Sequence, residues 1–147
     1  MSSSLSGIKW AWVVIGAVVA AVVAAVLELI LQFGYGVVLG FQLRGSPPQE
    51  MLNAAFLSVP FFVVAVVTAL VGALVGVRLA TTRSEGSAQM AGLISGLLAG
   101  VLFVGQRALR GYPWLAIWTL LMVAAAVLGG WLAGLLAARR AEVEAAH

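Results

Sequence analysis

Few side chains of this protein could take part in binding or catalysis, and two of them carry opposite charges within or at the end of apolar stretches. Glu28 is the only acidic residue of the first apolar run, and Arg107 lies at the end of the third. A charged side chain within a membrane span costs about 2.5–3.5 kcal/mol on insertion scales, so it normally faces protein or water. Each of these two charges therefore needs a partner.

The spacing along each run places both charges on a face of small residues. Members of the first face recur every three or four residues: Ala17, Ala21, Ala24, Glu28 and Gln32. The third run has the corresponding series Gly92, Gly96, Gly100 and Arg107. Residues at such intervals share one side of a helix. We expect Glu28 and Arg107 to form an ion pair inside a helix bundle, near its outer end.

Two hydroxyl residues extend this predicted polar cluster. Ser58 precedes Ala65 by seven residues, and Thr119 precedes Ala126 by seven, so both are expected on inward faces at the outer end. The candidate cluster is thus Glu28, Arg107, Gln32, Ser58 and Thr119. It has two possible roles: fixing the register of the helices, or binding a proton or a ligand.

Four apolar segments are long enough to position these residues in a bilayer, which requires about 20 residues per helix. They are residues 8–33, 54–79, 89–106 and 114–138. The sequence predicts an all-α, polytopic integral membrane protein. Its four transmembrane helices would form a compact bundle of two hairpins in a single membrane domain, residues 1–147.

The connections carry three further expectations. Residues 34–53 form a long outer connection, of which 34–43 is expected to be interfacial or re-entrant. Pro60 removes a backbone hydrogen bond and is expected to kink the second span. Pro113 is expected to begin the fourth helix, where no backbone N–H is needed.

The composition supports a lipid environment and excludes several classes of function. The chain is 63% hydrophobic and 9% charged, whereas soluble domains carry roughly 25% charged residues. The basic residues form no stripe of the kind that nucleic acid binding requires. With no Cys and no cluster of His or Asp, the sequence predicts no metal site and no cofactor.

The distribution of Lys and Arg predicts the orientation. Five basic residues fall on the side that holds both termini: Lys9, Arg78, Arg83, Arg139 and Arg140. Three fall on the other side: Arg44, Arg107 and Arg110. By the positive-inside rule, both termini are expected in the cytoplasm, with the protein in the cell (inner or plasma) membrane.

Small residues are expected to bring the helices into close contact, because lipid provides no hydrophobic drive for association. The candidate packing positions are Gly72, Gly76, Gly92, Gly96, Gly100, Gly130 and Gly134. Gly and Ala occur on more than one side of several runs, which favours a glycine-zipper surface left over for further contacts. The expected partners are the lipid bilayer and either other membrane proteins or copies of this chain.

These observations favour a non-enzymatic membrane protein that acts as an assembly or interaction subunit, or as a homo-oligomer packed through its Gly/Ala faces. The alternative is a small dimeric transporter or channel that uses Glu28 as a proton- or ligand-binding carboxylate. An intramembrane enzyme is not expected, since Ser58 or Ser95 with Glu28 forms no recognisable nucleophile and base.

Overall fold

The structure is a computed structural model, and it describes residues 8–83, 87–111 and 116–145. Its helices are α1 (Trp10–Leu43), α2 (Gln49–Phe56), α3 (Val59–Gly76), α4 (Arg78–Thr81), α5 (Ala88–Leu109) and α6 (Ala116–Ala145). Four helical stretches are long and apolar enough to cross a membrane: Trp10–Leu43, Val59–Thr81, Ala88–Leu109 and Ile117–Ala145. The predicted all-α polytopic membrane fold is confirmed. Pro113 lies outside the described residues.

The four long helices form a compact bundle of two antiparallel hairpins. One hairpin pairs α1 with α3, the other pairs α5 with α6, and the two join through α1–α5 and α3–α6 contacts. We call the end that holds the start of α1 and the C-terminal part of α6 the near end. The far end is the one that holds Glu28 and Arg107.

Glycines allow the helix backbones to approach closely within each hairpin. A Cβ atom added to Gly72 of α3 would lie 2.6 Å from the carbonyl oxygen of Ala20 on α1. A Cβ on Gly130 of α6 would likewise overlap the backbone of Gly92 on α5. Small residues are needed wherever backbones meet at this range, and they fix the order of the helices around the bundle.

Helix α1 continues past the expected end of the first span. It runs through residues 34–43, the segment expected to be interfacial or re-entrant, and ends at Leu43. Arg44 then takes a left-handed conformation with φ 52°, and the Gly45 N–H donates to the Gly40 carbonyl at 3.1 Å, which closes the helix end. We call residues 33–43 of α1 the projecting segment.

The expected kink at Pro60 is absent, because the helix is already interrupted just before this residue. Helix α2 ends at Phe56, Ser58 is extended, and α3 begins at Val59 with Pro60 in its first turn. Proline is well placed there because first-turn N–H groups have no partner within the helix. Pro60 thus begins a helix rather than bending one.

Candidate functional site

The polar site at the far end is built on the inward faces of α1 and α5. The buried row of α1 passes through Ala20 and Ala24 to Glu28, and that of α5 passes through Ala99 and Phe103 to Arg107. Both rows follow the helical spacing that keeps residues on one side. Because α1 and α5 run in the same direction, the two charged residues arrive at the same level.

Glu28 and Arg107 form a salt bridge between Oε1 of the carboxylate and Nη1 of the guanidinium. Only 2% of the Glu28 surface and 4% of the Arg107 surface remain exposed. Gln32, one turn further along α1, donates from Nε2 to the same Oε1 atom at 3.3 Å. The carboxylate is therefore held by a charge from α5 and by an amide from its own helix.

Aromatic rings from the other two long helices complete the site. The Arg107 guanidinium carbon lies 5.7 Å from the centre of the Phe62 ring on α3, within the range of a cation–π contact. Phe62 in turn stacks on Trp118 of α6, with ring centres 5.3 Å apart and an interplanar angle of 15°. All four long helices thus meet in one layer around the ion pair.

The electrostatics of this layer make it sensitive to the loss of either charge. Removing one partner of a buried pair typically costs about 3–5 kcal/mol, because the other charge stays buried without compensation. Replacing both partners by apolar residues is often neutral, so the pair need not add much net stability. A buried pair of this kind can instead favour the one helix register in which its charges meet.

Ser58 and Thr119 do not join the contacts described for this pair. The Ser58 hydroxyl donates to the Ala55 carbonyl, because the break before α3 removes Ser58 from the helical series that placed it inward. Thr119 is half-buried on α6, and within the described part of the chain it makes no hydrogen bond to Glu28 or Arg107. The inward position at that level of α6 is held by Trp118.

Sequence reasoning missed three residues that contact these elements. Phe62 continues the inward series Ala65, Ala69, Gly72 of α3, and Trp118 lies four residues before the buried Met122, so helical spacing contained both signals. Ser95 is fully buried nearer the other end, where its Oγ donates to the Val13 carbonyl of α1 at 2.9 Å. It joins α1 to α5 about 18 Å from Arg107 by helical rise.

The predicted packing glycines all lie against other helices of the same bundle. Those of α3 contact α1, and those of α5 and α6 contact each other: Gly72, Gly76, Gly92, Gly96, Gly100, Gly130 and Gly134. Their faces are therefore occupied within one chain. Gly34 and Gly105, by contrast, have open space where a Cβ would be added.

The described residues bring together no group of three or more His, Cys, Asp or Glu side chains that could hold a metal ion. Comparison with known proteins gave no matching family model, no similar curated protein and no similar solved structure.

Proposed function

We propose that this protein is a non-enzymatic membrane subunit that works by association, either with other membrane proteins or with itself. The observation that carries the proposal is the projecting segment, which extends beyond the end of α5 and exposes large apolar side chains.

The reach of the projecting segment follows from helical rise. Helix α5 has 22 residues, or about 33 Å, enough for a hydrocarbon core of about 30 Å. Glu28 and Arg107 mark one level; α5 ends two residues later at Leu109, whereas α1 continues for fifteen residues to Leu43. Helix α1 therefore extends about 20 Å beyond the end of α5.

The surface of the projecting segment is apolar and largely uncovered. Phe33 is 76% exposed and Phe41 is 82% exposed, and Val37 and Val38 between them are exposed as well. Exposed apolar patches beyond what lipid covers are typical of sites that bind another protein. This supports association as the role of the segment.

Helix α2 and the first turn of α3 cover one side of this segment. The Leu52 side chain of α2 approaches Gly36, and the Tyr35 ring contacts Phe56 of α2 and Phe61 of α3, with ring centres 6.5 and 5.1 Å away. The sequence predicts association through Gly/Ala faces. In the structure the predicted packing glycines instead contact other helices of the same bundle. We propose the projecting segment, rather than those Gly/Ala faces, as the association surface.

We further propose that the near end faces the cytoplasm of a cell (inner or plasma) membrane. Its basic residues are exposed: Lys9, Arg78, Arg83, Arg139 and Arg140. The Arg83 guanidinium carbon lies 4.7 Å from the centre of the Trp12 ring, a combination suited to a headgroup region. The projecting segment would then lie on the opposite side of the membrane.

The alternative function is a small dimeric transporter or channel in which Glu28 binds a proton or a ligand. Both Arg107 and Gln32 contact the Oε1 atom of Glu28, so a ligand at that atom would have to displace them. Flux into vesicles, compared between Glu28→Gln and the exposed control Glu142→Gln at the near end, tests this alternative. Loss of flux in the first variant alone, with folding intact, would establish it.

Subunit counting tests the proposed function itself. The full chain is labelled with one fluorophore and reconstituted in lipid vesicles at decreasing protein density. Stepwise photobleaching then counts the subunits in each assembly. Mild crosslinking in the native membrane is carried out in parallel. We expect assemblies of defined size, or a crosslinked membrane partner. A monomer at every density, with no crosslinked partner, would contradict the proposal.

A further inference from the structure

We propose that the projecting segment and α2 bind the same surface of a second copy of this chain, around a two-fold axis. This inference rests on the proposed function, and it adds the surface, the partner and the symmetry. Three features carry it: two unpaired opposite charges, a row of large apolar residues, and the distance from the lipid-spanning part.

The two charges lie on either side of the turn between α1 and α2. Arg44 caps the end of α1, and Glu50 lies in the first turn of α2. Both side chains are exposed, and within the described part of the chain neither forms an ion pair. One element thus presents a positive and a negative group that remain available.

Such a surface is complementary to itself. In a two-fold contact the same patch meets on both copies, so residue i of one copy faces residue j of the other and the reverse. Arg44 of each copy would meet Glu50 of the other, which forms two equal pairs. Complementary charges of this kind set the register and partner choice of an interface.

The apolar row on α1 comes just before Arg44 and supplies the contact area. Phe33, Val37 and Phe41 recur every four residues and share the exposed side of α1. Gly34 lies beside this row with open space around it, so a second helix can approach there. Large aromatic side chains at the centre of a patch are the residue types that dominate binding energy.

Lipid is a less suitable cover for this row than protein. The row lies on the part of α1 that continues past the end of α5, and α5 alone is long enough to span the hydrocarbon core. A second copy presents an equal row at the same height above the membrane. It would cover the row without tilting the bundle.

Disulfide crosslinking locates the contact, because the natural chain has no Cys. Val38→Cys, an exposed position beside the row, and the control Leu109→Cys, an exposed position at the end of α5, are reconstituted in phosphatidylcholine–phosphatidylglycerol vesicles and oxidised. We expect a covalent dimer for Val38→Cys at several times the yield of the control. Equal yields, or a higher yield for Leu109→Cys, would overturn the inference.

Charge reversal tests the symmetry, with dimer formation followed by energy transfer between donor- and acceptor-labelled copies. Arg44→Glu alone and Glu50→Arg alone each create two like-charge contacts, and each should weaken the dimer on the order of tenfold. The two variants mixed together restore opposite charges at both contacts, so the mixed dimer should regain the natural affinity. The control Arg110→Glu, an exposed change at the same end, should have no effect.

The outcomes separate this inference from the proposed function. If energy transfer is strong but mixing the two reversed variants restores nothing, the copies associate elsewhere: the inference fails and the proposed function stands. If the vesicles contain only monomers while a different membrane protein is crosslinked in the native membrane, the dimer inference fails and the proposed function stands. If the protein is monomeric and no membrane protein is crosslinked, both the inference and the proposed function fail.

Discussion

Two stretches of the same helix, α1, show how differently an apolar sequence can be used. Residues 13–28 present small side chains to α3 and α5 and bury them, together with Glu28. Residues 33–43 are also mostly apolar, but they expose Phe33 and Phe41 and pack on one side only, against α2 and the start of α3. An apolar composition alone therefore does not show which stretch packs inside the bundle.

The size of the residues at helical spacing makes the difference. Where Ala recurs on one face of α1, a Gly-bearing helix can approach to backbone contact and the bundle closes. Where Phe, Val and Phe recur, no helix in the described part of the chain packs against the face. The first stretch therefore specifies the fold, and we propose that the second specifies association.

Breaking the ion pair is expected to have the largest effect on stability. Glu28→Gln or Arg107→Gln should each lower the free energy of unfolding by about 3–5 kcal/mol, because the remaining charge stays buried alone. Reversible unfolding in mixed micelles, followed by Trp fluorescence, measures this.

The exchanged variant, Glu28→Arg with Arg107→Glu, is the control for that experiment. It keeps one charge of each sign in the layer and should recover most of the lost stability. If Glu28→Gln instead leaves stability unchanged or raises it, the carboxylate is retained at a cost to the fold, and the proton- or ligand-binding alternative gains support.

Adding a methyl group between α1 and α3 is expected to have the next largest effect. A Cβ at Gly72 would lie 2.6 Å from the Ala20 carbonyl oxygen and 2.8 Å from the Ala24 Cβ, so Gly72→Ala should cost about 1–3 kcal/mol. The matched control is Gly105→Ala in α5, where nothing lies within 4 Å. An equal loss in both variants would show that close helix contact is not what Gly72 provides.

Removing the hydroxyl that joins α1 to α5 should have a smaller effect. Ser95→Ala loses the 2.9 Å hydrogen bond to the Val13 carbonyl and should cost about 0.5–1.5 kcal/mol. Thr68→Val is the comparison, since among the described residues this buried hydroxyl donates only to the Ala65 carbonyl of its own helix. A larger loss for Thr68→Val than for Ser95→Ala would contradict the interhelical role.

The smallest effect is expected in the projecting segment. Gly34 lies within α1 and has open space at its Cβ position, so Gly34→Ala should leave the fold intact and raise stability by up to about 1 kcal/mol through helix propensity. The unfolding midpoint of the monomer in excess detergent measures this change in stability. A loss of stability would place this segment within the packed part of the protein.

The sequence predicts the bundle and its charged layer better than it predicts the ends of the helices. The Glu28–Arg107 pair follows from regular spacing on two unbroken helices, and so do the Gly72 and Gly130 contacts. The inward position expected for Ser58 is not found. It derives from helical spacing, which does not apply across the interruption between α2 and α3.

The length of α1 is the other feature that the sequence does not determine. Gly34 and Gly36 weaken a helix, and they suggested an end near residue 33. Helix formation is cooperative, however, and a helix that is already nucleated and anchored in the bundle gains one hydrogen bond for each added residue. The helix therefore continues to the turn that begins at Arg44.

The most direct test of this division measures stability and association together on two variants, Gly72→Ala and Phe41→Ser. Monomer unfolding is followed in mixed micelles, and dimer formation in vesicles is followed by energy transfer. We expect Gly72→Ala to lose stability. We expect Phe41→Ser to keep its stability and to lose about 2 kcal/mol of association free energy, as for a central aromatic anchor. If Phe41→Ser instead unfolds the monomer, or associates as well as the natural chain, the division of α1 into a folding part and an associating part is wrong.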